Sequence, residues 1–171
     1  SGLAQEQTLG GFTGTYGSGA TPMASLATAQ DGSVLFSSQA QSGSIRVVRY
    51  ARDETTGLYL KTHQASVSTG SLNLGGTPIA YDETNGYVYV SWKDSSAHLT
   101  RLSAATLTGA ATMTGDLPAT DDANAICSGG SNVIYAAPFD SPNYIIRRYT
   151  ISGTVITAGA DLTGFSDTDF V

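Results

Sequence analysis

Two histidines, one cysteine and a few carboxylates are the residues of this chain best suited to chemistry, and their spacing decides how much they could do. His63 and His98 lie in strand-like segments with no Cys, Asp or Glu at ligand spacing, so they read as surface or packed histidines, and no zinc site is expected. Cys127 is the single cysteine and cannot form an internal disulfide, which leaves the redox compartment open. Its segment, ANAICS, predicts a small buried strand residue rather than a nucleophile. Nucleophilic catalysis needs an activated Ser or Cys with a His and a carboxylate. No G-x-S-x-G elbow or Cys-rich motif is present, and the many serines fall in turns. Nothing in the chain calls for a cofactor.

The acids pair up at Asp121 and Asp122 and at Asp167 and Asp169, but neither pair has the spaced D-x-[DN]-x-[DN]-G pattern of a calcium loop. Solvated loop acids are the expectation. Three arginines, Arg49, Arg101 and Arg148, recur in similar strands. Each is expected to lay its stem on a neighbouring sheet and pair with a turn carboxylate such as Asp53, with a ligand-binding row as the alternative. Trp92 and Tyr144 sit beside the polar loops KDSSAH and DSPN, where contacts to sugar or protein could form, although Trp92 also suits a core.

Charge narrows the partners. Only 13% of the 171 residues are charged, against about 25% in an ordinary globular chain, and Ser, Thr, Gly and Ala fill the connecting segments. The net charge is −6 and Lys61 and Lys93 are the only lysines, so no basic stripe is available to neutralise phosphates. Nucleic acid and anionic membrane are not expected partners. No run approaches the ~20 apolar residues of a membrane helix, and no charged-then-apolar leader precedes Ser1, which predicts a soluble chain without membrane insertion. The Ser-Gly start and Thr-Asp-Phe-Val end resemble cut points, so a mature form or a fragment of something longer is expected.

The elements that must position these residues are repeated. DETTG at Asp53 returns as DETNG at Asp82, yet the flanking segments differ. A better register aligns DGSVLFSS, NGYVYVSW and SNVIYAAP, so that Val34, Val88 and Ile134 coincide at offsets of 54 and 46. VVRY, LTRL and IRRY then follow, with the three arginines at offsets of 52 and 47 and a glycine turn after each, at Gly57, Gly109 and Gly153. The unit is about 50 residues long and occurs three times. DETTG joins the third and fourth strands of one unit, and DETNG the first and second strands of the next. Their likeness is turn chemistry: an Asp or Asn side chain bonding nearby backbone, and a Gly taking positive φ.

Each unit reads as four short strands. In the second these are Thr77 to Asp82, Tyr87 to Trp92, Ala97 to Ala104 and Gly109 to Thr114. No helical period is sustained. The expectation is an all-β chain of about three four-stranded antiparallel β-propeller blades, over 21–70, 71–118 and 119–161, with 1–20 as a partial blade or linker. A β-sandwich or prism is the alternative. DGSVLFSS followed by IRVVRYARDETTGLYL resembles the repeats of YVTN and lactonase-like propellers. The similarity covers about Thr21 to Asp161, is strongest in the first unit, and lacks the turn acid at AATLTG. An enzyme of that group would line its channel from the innermost strands, here MASLAT, TPIAYD and ANAICS. The resemblance therefore implies Asp82 and Asn124 as the inner binding residues, in a surface too apolar and small for a metal-centred site.

Three blades do not close a ring, so other subunits or the remaining blades of a longer chain are expected partners, along with glycans. Without a catalytic constellation, the functional expectation is a non-catalytic structural or adhesive module outside a cell or on a virus particle. Tail-fibre proteins are similar in composition. The alternative is a lactonase-like hydrolase or isomerase.

Overall fold

The structure is a computed structural model that describes residues 24–41, 43–69, 77–115, 123–138 and 146–162. Four consecutive strands come first: β1 (Ala24–Thr28), β2 (Val34–Gln41), β3 (Ser44–Arg52) and β4 (Tyr59–Ser68), paired antiparallel in chain order. The second meander consists of β5 (Ile79–Asp82), β6 (Tyr87–Lys93), β7 (Ala97–Ser103) and β8 (Ala111–Thr112). After the two-residue β9 (Thr114–Gly115) comes a third, β10 (Ala123–Gly130), β11 (Val133–Pro138), β12 (Arg147–Ser152) and β13 (Val155–Ala158). β9 crosses over to pair in parallel with β13, lengthening the third sheet at its far edge. The described residues are all-β, with no helix.

Turns cut the chain into these strands. Asp53 Oδ1 accepts the Thr55 and Thr56 backbone N–H groups at 3.1 and 2.7 Å, and Gly57 closes the turn at φ 72°. Asp82 Oδ1 likewise accepts the Asn85 N–H at 3.3 Å, and Gly86 follows at φ 67°. Glycine takes these left-handed values without steric cost. One turn joins β3 to β4 and the other β5 to β6, as their chemistry without shared flanks requires.

The sheets pack face to face, with the second in the middle. Phe36, Ile45, Val47 and Val67 of the first meet Ile79, Val88, Val90, Trp92 and Leu102 of the second in one core. Ala80, Tyr89, Leu99 and Met113 of the second meet Ile134, Ala136, Tyr149, Ile151 and Ile156 of the third in another. Strand alternation explains the double burial: along β6, Val88, Val90 and Trp92 point one way and Tyr89 the other. At about 25 cal/mol per Å² of apolar surface, two such faces supply most of the force holding the stack. The first strands of the sheets run beside one another, β5 lying next to both β1 and β10.

The faces correct the expected repeat register. Val34 packs into the first core from the first sheet, and Val88 enters that same core from the second, so the two meet across an interface instead of being equivalent. Arg49, Arg101 and Arg148 stand directly opposite Phe36, Tyr89 and Tyr135, which makes Leu35 the counterpart of Val88 and Ile134. A slip of one residue reverses every side chain, and the alignment of Val34 contained such a slip.

Candidate functional site

Asp82 ends β5 and is 0% exposed. Its Oδ2 accepts the Asn85 side-chain N–H at 2.8 Å and the Asn132 backbone N–H, from the β10–β11 turn, at 3.1 Å. A carboxylate buried this deeply is tolerated because both oxygens receive donors. Asn124 lies near the start of β10, between paired residues Ala123 and Ala125, where the register with β11 shifts. Because Asp82 meets the far end of that strand, about six residues, or on the order of 20 Å, separate the two along it. The structure does not bring them together.

Trp92 is 8% exposed and belongs to the first core. Its indole N–H donates to Thr100 Oγ1 at 3.0 Å, and its ring stacks on His98 with centroids 4.0 Å apart and planes 18° from parallel. His98 Nε2 is 2.9 Å from Asp94 Oδ1. The backbone N–H of Ser96 and then the His98 ring hold the Asp94 carboxyl below its ordinary value. So His98 does have an acid partner, contrary to its apparent isolation in sequence: the β6–β7 hairpin folds Asp94 back onto it. Two serines share the turn, with the Ser95 hydroxyl 3.5 Å from Asp94 Oδ1 and the Ser96 backbone N–H 2.9 Å from the same oxygen. The contact anchors the hairpin. Tyr144 lies outside the described residues, as do Asp121, Asp122, Asp167 and Asp169.

The arginines also depart from expectation. Arg49 Nη1 donates to Thr62 Oγ1 at 2.7 Å. Arg101 donates to the Gly153 carbonyl at 2.6 Å and lies 4.4 Å over the Tyr87 ring. Each finds neutral acceptors on a neighbouring strand or sheet rather than a turn carboxylate, because the Asp53 carboxylate is already used by its own turn. Cys127 is also corrected: it is in a strand, but exposed, since it alternates away from the second core.

At one rim the β1–β2 and β3–β4 turns border a shallow cleft of about 330 Å³ lined by Asp31, Ser33, Arg52 and Glu54. Asp31 is occupied by the Ser33 N–H at 2.8 Å, and the cleft opens broadly to solvent. Among the described residues no three His, Cys, Asp or Glu side chains gather into a metal-binding group. No protein-family model matches the chain, and no curated protein matches it.

Proposed function

We propose that this chain is a non-catalytic structural module whose repeated β-sheets act as propeller blades, displayed outside a cell or on a virion and working through assembly and contacts to protein or glycan. One observation carries the proposal: a middle sheet with a core on both faces, supplied by like sheets whose first strands lie side by side. Stacking of that kind is how blades build a propeller. The candidate reactive groups support the same conclusion, since Asp82 is consumed by backbone donors and Trp92 by core packing. Display outside the cell is supported by the lysine-poor, hydroxyl-rich, acidic composition.

The test is a paired assay of the purified chain. Binding to glycan arrays or cell surfaces without turnover of any member of a lactone panel is the expected outcome. Lactone hydrolysis that vanishes in Asn124→Ala, while the fold persists, would establish the lactonase-like alternative instead.

A further inference from the structure

We propose that the Asn85–Gly86 peptide is a site of spontaneous covalent modification, at which the Asn85 amide becomes a carboxylate and the tie between the second and third sheets is released. This stands independently of the functional reading above.

The pair of residues carries the chemistry. A backbone nitrogen can close onto the side-chain carbonyl of a preceding asparagine, and it does so most readily where its own residue has no side chain to crowd the approach. The five asparagines of the chain are followed by Leu74, Gly86, Ala125, Val133 and Tyr144, so Asn85 alone meets an unhindered nitrogen. Asn85 and Gly86 are both half-buried at their turn, and nothing lies within 4 Å of where a Gly86 Cβ would sit. Asp82 accepts the backbone N–H and the side-chain N–H of Asn85. The side-chain carbonyl oxygen accepts no hydrogen bond among the described residues, which leaves it open to water.

In the reaction the Gly86 nitrogen attacks Asn85 Cγ and forms a new N–C bond. The bond from Cγ to the side-chain nitrogen breaks, and ammonia leaves with the proton of the Gly86 amide. One water molecule then opens the cyclic imide. Attack at Cγ restores the backbone and leaves aspartate, whereas attack at the backbone carbonyl leaves isoaspartate, with the chain running through the side-chain carbons.

The consequence lies in what Asp82 holds. Aspartate would place a carboxylate oxygen where Asn85 Nδ2 now donates to Asp82 Oδ2 at 2.8 Å. A donor is replaced by a second negative charge beside a carboxylate that is 0% exposed, and like charges repel most where water is excluded. The same Oδ2 accepts the Asn132 N–H of the third sheet at 3.1 Å, so displacing it frees the β10–β11 turn. That turn needs the bond: Ser131 and Asn132 have φ of 49° and 67°, left-handed values that are unfavourable for a residue with a Cβ. Isoaspartate carries the same charge and also inserts a carbon into the backbone before Gly86, whose carbonyl accepts the Ala104 N–H at 2.9 Å.

The test is to hold the folded chain at mildly alkaline pH, map its peptides by mass spectrometry over time, and follow hydrogen exchange of the Asn132 amide by NMR in the same samples. Conversion at Asn85 ahead of every other asparagine is the expected result. Exchange at Asn132 should be on the order of tenfold faster in the converted protein and in Asn85→Asp. Asn85→Ala, which loses the donor without gaining charge, should raise it less. If Asn85→Asp fails to fold, the converted protein itself reads the coupling. An Asn85 that stays intact in the folded chain, or that converts after another asparagine, overturns the site. Conversion that leaves Asn132 exchange unchanged overturns the release of the tie, and equal effects of Asn85→Ala and Asn85→Asp overturn its electrostatic cause.

Discussion

Asp82 and Asn132 stand fifty positions apart, and the carboxylate of one accepts the backbone N–H of the other at 3.1 Å. The bond ties the β5–β6 turn of the second sheet to the β10–β11 turn of the third. A parallel tie joins the first sheet to the second, where the Gln30 N–H donates to Glu83 Oε2 at 3.1 Å. Neighbouring turns are therefore laced along one rim, each held by a carboxylate of the second sheet.

Replacing Asp82 with Ala should cost about 2–4 kcal/mol, because buried N–H donors lose a charged acceptor. Asp82→Asn should recover part of this. Asp53→Ala, in the solvent-exposed twin of the same turn, should move the urea midpoint much less. Chemical denaturation of the three variants checks the order.

Trp92 is the only tryptophan, and its ring is stacked on His98. The imidazole covers one face of the indole, so His98→Ala should let water reach the ring and shift its emission to longer wavelength. His63→Ala should leave the emission unchanged, since His63 is an exposed residue of β4 paired with Arg49 in the first sheet.

Stability should decline at both extremes of pH, for opposite reasons. Asp31, Asp53 and Asp94 are held below their ordinary value of 3.8 by turn hydrogen bonds from Ser33, Thr56 and Ser96. Their contribution is complete above that value and disappears as pH falls through the lower, folded-state value. Burial raises Tyr50 and Tyr81 above 10.0, and pushes Tyr89 up to about 12. That contribution is complete below pH 10 and is lost as pH climbs through the raised values. Thermal melts across pH 2–12 should narrow at each end, and Tyr89→Phe should extend the alkaline side.

Gly115 carries φ 119°, and a Cβ there would collide with the Ile156 carbonyl. Gly115→Ala should detach β9 from β13 at a cost of about 1–3 kcal/mol and bare the edge of the third sheet. Exposed edges pair with other chains, so light scattering during slow heating should rise earlier in this variant.

Turns and strands were open to reading from sequence because their determinants are local. Asp53, Asp82 and the glycines after them carry their own instructions, and the four strands of the second unit fall within a few residues of those expected. Faces depend on longer-range information. Val34 and Leu35 are both apolar and adjacent, so identity alone could not say which one matches Val88; the partner across the ladder, Arg49 opposite Phe36, decides it. Cys127 was hidden for the same reason, since a small apolar residue suits either side of a strand. The Asp94–His98 contact needs a hairpin to form, which places it beyond any rule of ligand spacing.

The sharing of the second sheet between both cores has a consequence for how the molecule comes apart. Losing the first or the third sheet forfeits one core, whereas losing the second forfeits both. Energetically the three described sheets form a short one-dimensional array, in which the first and the third share a core with the second but not with each other. Unfolding should begin at an end and travel inwards, and the amides of β6 should exchange their hydrogens last. The stack has a keystone, and it lies at the middle of the chain.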